Sequence, residues 1–328
     1  MALNLTELQA VTDDYFEKTT TDIYFESSVL LWMLMSGAKG STGNMIDNFV
    51  TPGELVDGGE KIRVFVEYDE AHSGTYGATT TIPVSKKNIL NAARFRWAGA
   101  YASNSIDLSD QTQNAGSAQL VDIAFAKLQN MQKTIRKTMG ASIFTTAADS
   151  NDIIGLADLF NTTTSTAYGE IAQDDMSVWK ANSTASGNTM GLSALQALRR
   201  TAKINDATMG GVPNLYVTTD ALKDKFENTL QTQARYRDVD LVNAGFNNIL
   251  FDGASVVTDA NITSGYVMAL NTRFLMLKTH REYAFTKPVW TAENPVSRPD
   301  NLAAQIRWQG QLITNNRKAH AQDTNVLT

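Results

Sequence analysis

Glu60-Lys61-Ile62-Arg63-Val64-Phe65-Val66-Glu67-Tyr68 places Ile62, Val64, Val66 and Tyr68 at alternate positions, with charged or outward positions between them. Successive side chains of an extended chain point to opposite faces, so this spacing predicts a strand with one covered face. Asp57-Gly58-Gly59 supplies a tight turn into it. Beyond the turn formers His72-Ser73-Gly74-Thr75-Tyr76-Gly77, the β-branched run Thr79-Thr80-Thr81-Ile82-Pro83-Val84 is expected to return antiparallel. Pro83, which has no amide hydrogen, belongs at an edge. Residues 54–85 therefore read as one long hairpin. A lone two-stranded hairpin is marginal in water, and this one offers few large apolar residues to fix it to its own domain. It is expected to reach a neighbouring subunit, with Arg63, Phe65, Glu67, Tyr68 and Tyr76 as contact candidates.

Upstream, residues 1–53 read as an arm. Helix-like stretches span Leu5 to Phe16 and Asp22 to Met35, followed by the glycine-rich Gly37-Ala38-Lys39-Gly40-Ser41-Thr42-Gly43. The second stretch gathers Ile23, Phe25, Leu30, Leu31, Trp32 and Leu34, more apolar surface than so short a segment covers by itself. It must dock elsewhere, and Trp32 and Phe25 join the contact candidates.

Downstream, strand-like residues from Arg94 to Tyr101 precede the strongest helical pattern, Ser117 to Met139. Leu120, Ile123, Leu128, Met131, Ile135 and Met139 share a face. Ser117 is suited to the N-cap, Lys133, Arg136 and Lys137 favour the C-terminal dipole, and Gly140 is expected to end the helix. Such a helix would span about 35 Å, enough to support a whole domain. From Gly155 to Arg281 strands and helices alternate: Leu192, Leu195, Leu198 and Ala202 form a helical stripe, Leu215 to Thr218 a strand, and Asp220 to Leu230 a helix. Ala254 to Asp259, Tyr266 to Leu270 and Phe274 to Lys278 read as strands, and Asn301 to Ile313 as a final one that returns to the first lobe. The expected class is mixed α+β, with the first lobe made of residues 86–154 and 282–328 and a second lobe, 155–281, inserted into it. No internal repeat of fixed period is present.

The 328 residues, 43% hydrophobic and 19% charged, are those of a chain that folds around a real core. A net charge of −6 argues against a protein that grips a polyanion. The absence of cysteine removes disulfides, thiolate metal sites and cysteine nucleophiles together and fits a cytosolic setting. The polar start MALNLTELQAVTDDY is no signal peptide, and Val29 to Met35 is too short to span a membrane. His72, His280 and His320 have no metal-ligand spacing, and no Gly-x-Ser-x-Gly elbow occurs. Gly37, Gly40 and Gly43 lack the Gly-Lys-Ser/Thr ending of a phosphate loop. Asp13-Asp14 and Asp174-Asp175 lack the spaced ligands of a calcium loop, and Arg199, Arg200, Arg235 and Arg237 read as helix surface. No catalytic residue, cofactor or metal ligand is assigned, so function is expected to come from assembly.

An arm, a long hairpin, a long helix, an inserted mixed lobe and a returning strand together resemble the HK97-like major capsid protein fold of tailed double-stranded DNA bacteriophages. Several strings are similar to those proteins: Val56-Asp57-Gly58-Gly59-Glu60-Lys61-Ile62-Arg63-Val64, Asn214-Leu215-Tyr216-Val217-Thr218-Thr219-Asp220, Gly253-Ala254-Ser255-Val256-Val257-Thr258-Asp259 and Arg307-Trp308-Gln309-Gly310-Gln311-Leu312. The resemblance covers nearly the whole chain. It implies that 54–85 is the extended loop, Ser117 to Met139 the spine helix of a peripheral domain, and 155–281 an axial domain. It also implies hexamers and pentamers of this one subunit in an icosahedral virion head, assembled in the host cytoplasm. The implied partners are portal, scaffolding or decoration proteins and loosely enclosed double-stranded DNA, with no membrane. Some members cross-link subunits through a lysine; Lys86 and Lys87 lie at the foot of the hairpin, and neither is matched to that role. The alternatives are an encapsulin-like nanocompartment shell and, from another class, a soluble two-lobed enzyme.

Overall fold

The computed structural model describes residues 28–36, 55–79, 81–107, 117–204, 211–229, 249–292 and 302–327. Helix α1 (Val29–Ser36) starts at Ser28, whose hydroxyl accepts a hydrogen bond from the Leu31 amide and donates one to the Asp259 carboxylate. Val29, Leu30, Leu31, Met33 and Leu34 are all buried in the main core of this same chain. The docking partner that so apolar a stretch requires is thus found within the chain.

Strand β1 (Leu55–Val56) leads through Gly58 and Gly59, with φ of +127° and +116°, into β2 (Ile62–Glu67). The return strand is β3 (Leu90–Phe95), antiparallel in the register Ile62↔Phe95 to Glu67↔Leu90, and not Thr79 to Val84. The reason is burial: Ala93 and Phe95 lie opposite Val64 and Ile62 and share their covered face, whereas Ile82 and Val84 are exposed. Strand β4 (Ala98–Ile106) follows, then α2 (Ser117–Phe144), 28 residues or about 42 Å long. Leu128, Met131, Ile135 and Met139 are buried as the spacing predicts. Gly140 does not end this helix; a Cβ there would lie 3.3 Å from Asn261 Nδ2 and 3.6 Å from the Ser28 side chain, so glycine admits the start of α1 close to the helix.

Next come α3 (Leu156–Leu159), the hairpin β5 (Ala167–Tyr168) and β6 (Ile171–Ala172), β7 (Ser183–Thr184), α4 (Leu192–Ala202), β8 (Leu215–Thr218) and α5 (Asp220–Thr229). The chain continues with β9 (Ile249–Phe251), β10 (Ala254–Thr258), β11 (Val267–Leu270), β12 (Leu275–His280), β13 (Thr291–Ala292), β14 (Leu302–Thr314) and β15 (Ala321–Asp323). One sheet runs β1-β12-β14-β13, with β4 also on β14; the other runs β7-β15-β11-β8-β10-β9. In β14, Ala304, Ile306, Trp308 and Gly310 are buried between exposed Gln305 and Arg307. From Gly310 to Thr314 every residue is buried. The second sheet has two covered faces. Leu215, Val217 and Met268 join the main core, while Tyr216, Val256 and Val267 pack with Leu195 and Leu198 of α4 and Phe226 of α5.

Sheet membership departs from the expected boundary at 281, and the chain does not finish at β14. Strand β12 belongs with β14 and β4, whereas β15 returns to pair with β11 and β7. The chain therefore passes between sheets twice, at 271–274 and at 315–320, and His320 joins the two crossings. Its Nδ1 accepts the Asn271 amide hydrogen at 3.2 Å, which makes Nε2 the donor to Thr314 Oγ1, also 3.2 Å away. Arg317, 1% exposed, donates to the carbonyls of Leu159 (2.6 Å), Asp158 (3.1 Å), Asn161 (2.8 Å) and Trp179 (3.4 Å). Its guanidinium lies 4.9 Å from the centre of the Tyr168 ring.

Two outcomes are expected. Gly310→Ala would push a methyl group into the Lys278 carbonyl oxygen and to within 2.5 Å of the Trp308 ring. Overpacking of this kind costs about 1–3 kcal/mol, so the urea midpoint of the variant falls; an unchanged midpoint would mean that the strand has room there. Burial lowers the His320 pKa to about 3 from the usual 6.5. The folded state then resists a proton that the unfolded chain accepts. Its contribution is complete above the unfolded pKa and is lost as pH falls toward the folded one, by roughly 1 kcal/mol per pH unit. Urea titrations at pH 7, 5.5 and 4 check this: wild type loses its advantage over His320→Gln as pH falls, and parallel curves contradict it.

Candidate assembly interface

The ribbon formed by β2 and β3 has one anchored and one open face. Ile62, Val64 and Val66 are buried, and the β5–β6 hairpin covers the same side. There the Phe95 and Tyr168 rings meet edge to face at 5.2 Å and the Arg94 amide donates to the Gly169 carbonyl at 2.9 Å. Gly169 and Glu170 both have positive φ, 62° and 63°, as a two-residue hairpin turn of this hand requires. A Cβ on Gly169 would fall 2.8 Å from the Phe95 ring. The expectation that the ribbon lacks residues to fix it to its own body is corrected, because three alternating β-branched side chains do so.

On the open face, opposite residues of an antiparallel pair lie side by side, so Arg63 stands beside Arg94, Phe65 beside Ala92 and Glu67 beside Leu90. Phe65 is 76% and Leu90 61% exposed. Glu170 pairs with Lys61 and, at 3.8 Å, with Arg94. The hydrogen bond from Lys61 chiefly holds the Glu170 carboxyl below its ordinary pKa. Arg63 has no carboxylate partner among the described residues.

Beyond the strands, the described residues from Asp69 to Asn88 are all exposed, including Tyr76, Ile82 and Val84. The neck of this loop is nevertheless braced. The Tyr68 amide donates to the Ile89 carbonyl at 3.0 Å, and Lys87 Nζ donates to Asp69 Oδ1 at 2.9 Å and to the Glu70 carbonyl at 2.7 Å. Those bonds hold the Asp69 carboxyl below the usual carboxylate range. His72 Nε2 and Ser85 Oγ lie 3.3 Å apart.

Of the contact candidates, Arg63, Phe65 and Glu67 share the open face and Tyr76 projects from the loop. Tyr68 is half-buried against the main core at the neck. Trp32 belongs to α1, but its side chain, like all of Phe25, lies outside the described residues. Leu90, Ile82 and Val84 were missed. Leu90 was legible from its alternation with Ala92 and Arg94; Ile82 and Val84 were hidden by their assignment to a strand.

Elsewhere, Arg199 pairs with Asp252 at 2.6 Å, while Arg235, Arg237 and Asp13-Asp14 lie outside the described residues. No three His, Asp or Glu side chains gather into a metal-sized group among the described residues. No helix among them is long and apolar enough to cross a membrane. A cleft of about 430 Å³ opens where the end of α2 meets the second sheet, with Phe144, Asn161, Ser183, Tyr266 and Gln322 in its wall.

No protein-family model matches the chain, and no curated protein matches it in sequence. Solved structures do resemble it. A chain of the cyanophage A-1(L) capsid asymmetric unit aligns with a TM-score of 0.65 and 13% identity over 92% of this chain and 93% of its own. The capsid of a native GTA particle aligns at 0.56 with 10% identity, over 82% and 86%. The holo-SrpI encapsulin complex from Synechococcus elongatus aligns at 0.54 with 10% identity, over 83% and 84%. A braced ribbon, a long helix and two sheets exchanging strands are thus arranged as in shell-forming proteins, and the chain carries the α+β HK97-like capsid fold.

Proposed function

We propose that this chain is the major capsid protein of a tailed bacteriophage and assembles into hexamers and pentamers of an icosahedral head around double-stranded DNA. The observation that carries it is the loop from Asp69 to Asn88: its neck is braced by Lys87, yet its described residues, with Tyr76, Ile82 and Val84 among them, are exposed. A segment held in shape without covering its own body fits contacts between sister subunits, where ring-closing surfaces differ from each other. In this reading residues 1–53 form the arm and 54–85 the extended loop, which the pairing with β3 carries on to Phe95. The peripheral domain is 86–154 with 282–328 and the axial domain 155–281, amended by β12 and β15, which each pair in the other sheet. Arg63, Phe65, Glu67 and Tyr76 meet the neighbouring subunit. The net charge of −6 suits a wall that must not adhere to its cargo. Portal, scaffolding or decoration proteins are the further partners, and the site of action is the virion.

An encapsulin-like compartment is the second reading, supported by the likeness to the Synechococcus elongatus encapsulin. The higher score of the cyanophage capsid favours the phage head. Neighbouring genes separate the two: terminase and portal for a phage, a cargo enzyme for a compartment.

Replacing residues 71–86 by a short Gly-Ser linker tests the assembly reading. This change spares Ile62, Val64 and Val66, so the variant is expected to keep the urea midpoint of the wild-type subunit and to form no shells by negative-stain electron microscopy. Normal shells from it would overturn the role given to the loop.

A further inference from the structure

Gln322, on β15, is 7% exposed, and its amide Nε2 donates to Ser183 Oγ at 2.8 Å. Its Oε1 has no partner, although the side chain lines the 430 Å³ cleft. Turning the amide over would only exchange the ends, leaving an N–H without an acceptor in place of an oxygen without a donor. An unmet amide end that is more than nine-tenths buried costs about 1–3 kcal/mol, so this cleft lacks an occupant able to hydrogen bond. The cleft volume falls within the range of about 300–1,000 Å³ of pockets that enclose real ligands.

The cleft wall contains no Asp, Glu, Lys or Arg; Thr162, Ser183 and Thr263 offer hydroxyls, and Phe160 and Tyr266 offer ring faces. A charged ligand would lose its hydration there without a counter-charge. One segment of the chain has the matching chemistry. From Ala71 to Ser85 there is no Asp, Glu, Lys or Arg, and the run carries Tyr76, Ile82 and Val84, exposed to 80%, 61% and 93%. Ser183 belongs to β7, the end strand of its sheet, where an extended segment can lie alongside, and Pro83 is tolerated in such an edge position. A peptide unit offers both N–H and C=O, so it satisfies Gln322 in either amide orientation. In the single subunit the loop is exposed and the cleft is open.

We propose that the cleft beside Gln322 receives the uncharged tip of the 71–85 loop from a second copy of the chain. This rests on the assembly reading and names the receiving surface.

The chain contains no cysteine, so introduced pairs report without background. Single variants Tyr76→Cys, Ile82→Cys and Val84→Cys are each combined with Thr162→Cys or Thr263→Cys, assembled and oxidised with copper phenanthroline. Disulfides need Cα atoms within about 7 Å. At least one double variant is expected to give a ladder of linked subunits on a non-reducing gel, whereas each single variant gives no more than dimers. Shells that form with no ladder in any pair overturn the inference and leave the assembly reading intact. Failure of the wild-type chain to form shells overturns both. Independently, Thr263→Glu places a charge at the exposed rim of the cleft. It is expected to leave the urea midpoint within error while reducing shell yield at least tenfold, and an unreduced yield counts against the cleft as receiver.

Discussion

Arg317 and His320 hold the two crossings between the sheets, and the rest of the fold depends on those crossings being closed. The segment from 315 to 320 must leave one sheet and enter the other through the interior, where every polar group needs a partner. Arg317 meets that demand by donating to four carbonyls from Asp158, Leu159, Asn161 and Trp179. Burial draws its pKa down to about 10, which still leaves it charged at neutral pH. Three of the four oxygens belong to the end of α3 and the residue just beyond it, where unpaired carbonyls carry partial negative charge. His320 works by the opposite means: it stays neutral, accepting from Asn271 on one crossing and donating to Thr314 on the other.

This closure explains why the ribbon can be both fixed and free. Its inner face rests on Tyr168 and Gly169, and Tyr168 lies under the Arg317 guanidinium. The base of the ribbon is therefore tied to the same buried cation that closes the crossing. What extends beyond Tyr68 is braced only by the Lys87 bonds and the Ile89 carbonyl. A rigid base with an uncovered end suits a part whose remaining contacts come from another molecule. A shell subunit needs that division, since heterologous contacts require a surface complementary to a different surface of its neighbour.

The cleft at Gln322 belongs to the same economy of partners. Within the described residues most buried polar groups near the crossings are matched: Asn182 donates to the carbonyls of Lys318 and His320, and Asn214 bonds Thr272. Against that background the unmet end of Gln322 stands out as a place prepared for something further.

What the sequence determined by itself was everything set by local periodicity. The alternation of Ile62, Val64 and Val66, the stripe of Leu128, Met131, Ile135 and Met139, and the two-step pattern from Ala304 to Gly310 each reappear as covered faces. The element order was enough to recognise the fold. The tertiary structure alone decided which strand pairs with β2, because pairing depends on what covers the shared face, and Tyr168 and Gly169 lie far away in sequence. It alone decided that Gly140 stays helical, since only the approach of Ser28 shows why a small residue is needed. Arg317, His320 and Gln322 carry no local pattern: their roles come from groups more than a hundred residues away or on the opposite crossing, brought together only when the two sheets exchange strands.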